Sequence, residues 1–192
     1  MILLATSFYL HFKKKEKYQF KLLLKLSGRL PSDFVEMTNL ATVTFNMSII
    51  GLILLGYVLI NGGQLNGPIV GSIIGAMSFG AFGNQVKNTV PVLVGIMIGC
   101  YLTGVDVAST SALVAAIFGT TLAPVSGYYG PLAGVIAGFV HITLVSHVVV
   151  MHGGLNLYNN GFAGGFVGAV LVPIFEIFEG IRQDIKERKA EG

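Results

Sequence analysis

The chain has 192 residues, of which 53% are apolar and 11% charged, with a mean hydropathy of +0.76, against roughly 25% charged in an ordinary soluble domain. Between Glu36 and Glu176 only Lys87 and Asp106 carry a formal charge, which excludes a water-facing surface over that stretch. The net charge of +3 is concentrated near the start, in Lys13, Lys14, Lys15, Lys17, Lys21, Lys25 and Arg29. In so apolar a chain this reads as a cytoplasmic segment under the positive-inside rule and not as a nucleic-acid site.

Met1 to Phe12 is apolar but too short to cross a bilayer, and its lysines follow the run instead of preceding it, unlike a signal peptide. It reads as the last turns of a helix whose earlier part is missing. Tyr18 to Leu26 mixes lysines with Phe20, Leu22, Leu23, Leu24 and Leu26, the pattern of an interfacial helix. Six apolar segments follow: Thr42 to Ile60, Pro68 to Phe82, Thr89 to Leu102, Ser111 to Val125, Pro131 to Met151 and Phe162 to Phe178. Runs such as Ser48 to Ile60 are apolar on every face, which suits helices in lipid and excludes the alternation of a β-barrel.

The expectation is an all-α, multi-pass bundle of five or six Gly-rich segments in the cell membrane, with the lipid bilayer as its first partner. Residues 1–36 form a basic cytoplasmic or interfacial segment, 37–178 the transmembrane domain, and 179–192 a charged tail. Six crossings place the basic start, Lys87 and the tail inside and Asp106 outside. The fourth segment is short, with Pro124 and Gly127 at its end, so it is also readable as a re-entrant half-helix, which would put the tail outside.

Gly67-Pro68-Ile69-Val70-Gly71-Ser72-Ile73-Ile74-Gly75 matches Gly130-Pro131-Leu132-Ala133-Gly134-Val135-Ile136-Ala137-Gly138, and a looser copy begins at Gly161 with Gly165 and Ala169. Small residues every four positions share one helix face and let backbones approach, so Gly71, Gly75, Gly134, Gly138 and Gly165, with Gly95 and Gly99, are expected to pack helices. Asn66 precedes Gly67-Pro68, and Asn159-Asn160 precede Gly161, as N-caps would. Such helix starts either cap at the membrane surface or, placed inside it, face a polar solute.

The run His152-Gly153-Gly154-Leu155-Asn156-Leu157-Tyr158-Asn159-Asn160 holds the densest hydrogen-bonding groups of the apolar region. It reads as a surface loop or as a broken helix lining a cavity. His141 and His152 stand about 16 Å apart along a helix axis and His147 points elsewhere, so the three do not form one metal site; they read as packed or interfacial, or as intramembrane titratable groups. Cys100 is the sole cysteine, which leaves no intrachain disulfide or thiolate cluster, and beside Met97 and Tyr101 it reads as packing. No P-loop, HExxH, GxSxG or paired-carboxylate motif nominates an enzyme, and no metal or cofactor is expected.

The chain resembles the bacterial membrane family called domain of unknown function 1576. The matching residues are Ser27-Gly28-Arg29-Leu30 with Asp33-Phe34, Leu65-Asn66-Gly67-Pro68, Gly80-Ala81-Phe82-Gly83 and Lys87-Asn88. Further matches are Ala116-Ile117-Phe118-Gly119-Thr120-Thr121-Leu122-Ala123-Pro124 and the string from His152 to Gly165. The resemblance implies a membrane location and no activity. It also implies that this chain corresponds to the C-terminal half of a longer protein, and the family's basic residue after Gly83 is here Asn84. A looser similarity is to urea-channel-type proteins, whose halves carry Asn-Gly openings before Gly-rich helices.

The expected function is a channel or secondary transporter for a small neutral polar solute, with Asn66, Gly67, His152, Asn156, Tyr158, Asn159, Asn160 and Gly161 along its path. The competing reading is a non-transporting scaffold or accessory subunit, in which Gly faces join copies of the chain or a missing N-terminal half.

Overall fold

The computed structural model describes residues 2–29, 31–148 and 156–190, and among them every regular element is helical. Three short helices open the chain: α1 (Ile2–Lys13), α2 (Phe20–Leu23) and α3 (Phe34–Met37). All three pack on α4 (Leu40–Ile60), whose start is capped by the Asn39 side chain accepting from the Thr42 amide. Ser7 on α1 donates to the Ala41 carbonyl at 2.8 Å, an internal partner that a hydroxyl needs where no water reaches it.

The remaining bundle comprises α5 (Gly67–Met77), α6 (Val86–Thr103), α7 (Thr110–Gly119), α8 (Ala123–Tyr129), α9 (Pro131–Val148) and α10 (Asn156–Ala190). Among the described residues five stretches are long and apolar enough to cross a membrane: Leu40–Ile60, Val86–Thr103, Thr110–Tyr129, Pro131–Val148 and Tyr158–Lys189. The segment suspected of being re-entrant is one of them. A 3-10 turn, Thr120–Leu122, joins α7 to α8, and Pro124 falls in the first turn of α8, where a missing N–H breaks no helical bond.

The short segment is instead the second. It consists of the 11 residues of α5 and a 4-residue 3-10 helix, Ser78–Ala81. At about 1.5 and 2.0 Å per residue these rise about 24 Å, less than the roughly 30 Å of a hydrocarbon core. The chain therefore turns while still inside the bundle, and Asn46 on α4 meets the turn. Its Nδ2 donates to the carbonyls of Gly80 and Asn84, each at 2.8 Å.

This early turn leaves a recess at the basic end, and a strap from Leu26 to Arg29 fills it. Gly28 has φ +79°, the left-handed region where only glycine sits without strain, and it lies so close to the Gly83 backbone that a Cβ would collide with it. The Leu26 carbonyl accepts from Gln85 Nε2 at 3.4 Å, and the Ser27 carbonyl from Asn88 Nδ2 at 3.2 Å.

At the centre α6 and α9 run in the same direction with their backbones in contact. A Cβ on Gly95 would strike the Val135 carbonyl, and one on Gly138 the Val92 carbonyl; Gly99 lies under Ile142 and Gly134 under Ser126. Against this pair, and between it and α5 and α10, packs α7, buried on every face from Ala112 to Ile117. The other ladder glycines face outward: nothing lies within 4 Å of a Cβ placed on Gly71 or Gly165, and at Gly75 the nearest atom is Phe118 Cε1 at 3.9 Å.

Gly95→Ala and Gly138→Ala should each lower the thermal midpoint of the detergent-solubilised protein, with an overpacking cost of about 1–3 kcal/mol. Gly71→Ala, with open space around the added Cβ, should leave the midpoint unchanged or raise it, because alanine favours a helix interior over glycine by about 0.5–1 kcal/mol. Equal midpoints for all three would contradict the tight α6–α9 crossing.

Candidate functional site

The break between α7 and α8 organises the polar groups of the interior. Near the end opposite the lysines, a cleft of about 280 Å³ is bounded by Ser111 and Ala115 of α7, Ile142 and Ser146 of α9, and Asn159 of α10. Deeper along α7 lies His141, fully buried, with Nε2 3.2 Å from Oδ1 of Asn160. With the amide oxygen as acceptor, Nε2 is the donor. Gly119 makes room for this pair, since a Cβ there would run into the His141 ring.

Beyond the break, a second cavity of about 140 Å³ lies between Gly28 of the strap, Phe79, Phe82, Gly83 and Asn84 of the early turn, and Thr121 and Pro124. From Ser111 to Pro124 the helical path covers about 20 Å at about 1.5 Å per residue. The two cavities thus occupy opposite halves of the bundle, and Gly119 with the His141–Asn160 pair falls between them.

A cluster of buried polar residues, Asn46, Asn84, Gln85, Asn88 and Thr89, adjoins the early turn, and of these Asn84 lines the second cavity. The start of α6 fixes part of the cluster through a reciprocal cap, in which Gln85 Oε1 accepts from the Lys87 amide at 2.7 Å and Asn88 Oδ1 accepts from the Gln85 amide at 2.8 Å. At the surface the strap is tied to α10. Arg29 Nη2 is 3.1 Å from Glu176 Oε1, its guanidinium lies 4.3 Å from the Tyr128 ring centroid, and the Tyr129 hydroxyl donates to the same carboxylate oxygen at 3.1 Å. With side chains 44% and 51% exposed, the ion pair is screened by water and holds the strap only loosely.

The residues expected along a solute path distribute as follows. Asn66 caps α5, accepting from the Ile69 amide at 3.1 Å, and its Nδ2 donates to Thr110 Oγ1 at 2.8 Å, tying the start of α5 to the start of α7. Gly67 is exposed beside it. Asn159 and Asn160 are not caps: α10 already begins at Asn156, and both lie within its first turns as buried side chains. Tyr158 and Gly161 are exposed on its outer face. His152 and the Asn156 side chain lie outside the described residues. The structure thus brings Asn159 and Asn160 together with His141, Ser111 and Ser146, and leaves Tyr158 and Gly161 apart from them. Among the described residues no three His, Cys, Asp or Glu side chains gather as metal ligands, and Cys100 is a buried free thiol.

Helices of this length and apolarity, with polar side chains turned inward, define a multi-pass α-helical membrane protein. The chain belongs to the family described as protein of unknown function (DUF1576), whose model matches residues 13–177. No curated protein and no solved structure matches it.

Asn66→Ala removes an N-cap and should cost about 1 kcal/mol. Asn160→Ala should cost about 1–3 kcal/mol, because it strips a partner from a fully buried imidazole. Denaturation in detergent orders the two, and a neutral Asn160→Ala would show that the pair is not a structural tie.

Proposed function

We propose that the chain is a channel or secondary transporter for a small neutral polar solute. The path enters at the cleft beside Asn159, passes the His141–Asn160 pair and reaches the cavity beside Asn84. One observation carries this reading: two cavities lie in series along a broken helix, and polar side chains interrupt the apolar wall of each, Ser111, Ser146 and Asn159 in one and Asn84 and Thr121 in the other. Irregular backbone at membrane depth persists where it is buried in protein or lines a cavity. No formal charge occurs in the lining of either cavity, so the reading favours an uncharged solute and assigns no catalysis. The lysines and the Arg182–Lys189 tail share one end, which the charge rule places in the cytoplasm.

The scaffold reading also has an observation in its favour. Gly67 and Gly71 on α5, with Gly161 and Gly165 on α10, form open small-residue stripes on the outside of the bundle, the kind of surface against which another membrane helix packs.

Light-scattering swelling of proteoliposomes challenged with urea, glycerol, ammonium and simple salts separates the two. Selective swelling with one neutral solute, changed several-fold by Asn160→Leu in folded protein, is the expected result. No swelling with any of them in folded protein favours the scaffold.

A further inference from the structure

Asn84 is 1% exposed and lines the cavity at the early turn, yet its Nδ2 meets no acceptor among the described residues. Its neighbour Asn46, whose own Nδ2 donates to the Asn84 carbonyl at 2.8 Å, is fully buried, and its Oδ1 meets no donor among them. A buried amide group left unmatched costs about 1–3 kcal/mol, and native structures keep few of them without a reason. Here a donor and an acceptor stand unmatched in one polar cluster, beside a cavity with an aromatic wall. Phe79 and Phe82 form that wall, edge to face with ring centroids 6.1 Å apart.

We propose that the cavity of about 140 Å³ around Asn84 is a binding station for a small neutral solute carrying a carboxamide or hydroxyl group. This rests on the transport reading and names its solute-contacting residue. Asn84 Nδ2 donates to the carbonyl or hydroxyl oxygen of the solute. The apolar remainder lies against Phe79 and Phe82. With about 30 Å³ for each water-sized group, the volume admits a solute of about four or five heavy atoms. No ionised side chain lines the cavity to compensate a charged solute for its lost hydration, so ions are disfavoured. The strap borders the station on the basic side, since Gly28 is part of its wall.

The test uses the full chain in proteoliposomes with Cys100→Ser and Thr121→Cys, which leaves one thiol on the cavity wall. The rate of its modification by methyl methanethiosulfonate is measured alone, with acetamide and with tetramethylammonium. Acetamide should slow the reaction several-fold, tetramethylammonium should not, and Asn84→Leu should abolish the acetamide effect. Asn84→Ala serves the same purpose should the leucine variant fail to fold. An unchanged rate in acetamide, or protection that survives loss of the Asn84 amide, overturns the proposal; a single ordered water bridging Asn46 and Asn84 would give the first of these results. Because the readout needs no transport, protection without swelling would overturn only the transport reading, and swelling without protection only this site.

Discussion

The rest of the bundle depends on the contact between the backbones of α6 and α9. Lipid offers no hydrophobic drive for two apolar helices to associate, so close approach and dispersion must supply it. Gly95 and Gly138 allow each helix to press on a carbonyl of the other, at Val135 and Val92. That leaves little freedom in how the pair crosses. Because α9 also carries His141 and α6 carries Asn88 and Thr89, fixing the crossing fixes both halves of the polar interior.

The shortness of α5 is the second constraint, and it acts through hydrogen bonding. A chain that turns inside the bundle exposes carbonyls at Gly80, Gly83 and Asn84 that need donors where water is scarce. Asn46 satisfies the first and third, and Asn88 donates to Gly83 at 2.8 Å. The strap brings carbonyls of its own, which Gln85 and Asn88 take up. The asparagines of this region follow from a helix that ends too soon.

Much of the architecture was legible from the residues alone. Spans follow from apolar length, and the Asn66 cap followed by Pro68 was readable because cap chemistry is local. Position within the bundle was not. Four-residue spacing shows that Gly71 and Gly75 share a face but not which way that face points, and it points outward. Pro124 and Gly127 looked like breaks in a half-helix, yet one begins α8 and the other makes room for the Ser27 carbonyl. Asn159 and Asn160 looked like caps because a cap and a buried polar side chain are the same letter. What separates them is His141, a partner 19 residues from Asn160 that no local pattern supplies. Asn46 and Asn84 carried no such signal either: Asn46 lies between Thr44 and Ser48 in an apolar helix, Asn84 stands beside Gln85 between two apolar segments, and the contact that joins them is 38 residues long in sequence.

The clasp between Arg29 and Glu176 joins residues 147 positions apart, and this sets an order of events during synthesis. A chain inserted from its N-terminus presents the strap long before α10 exists. Its first footholds, Gly83, Gln85 and Asn88, emerge with the early turn, and Gly127 follows. Glu176 comes last of all. Contacts between such distant parts of a chain form late, after the entropy of the intervening loop has been overcome. On this order the Arg29–Glu176 contact is the last of the strap's to form, and a nascent chain arrested before α10 would have its strap seated without it.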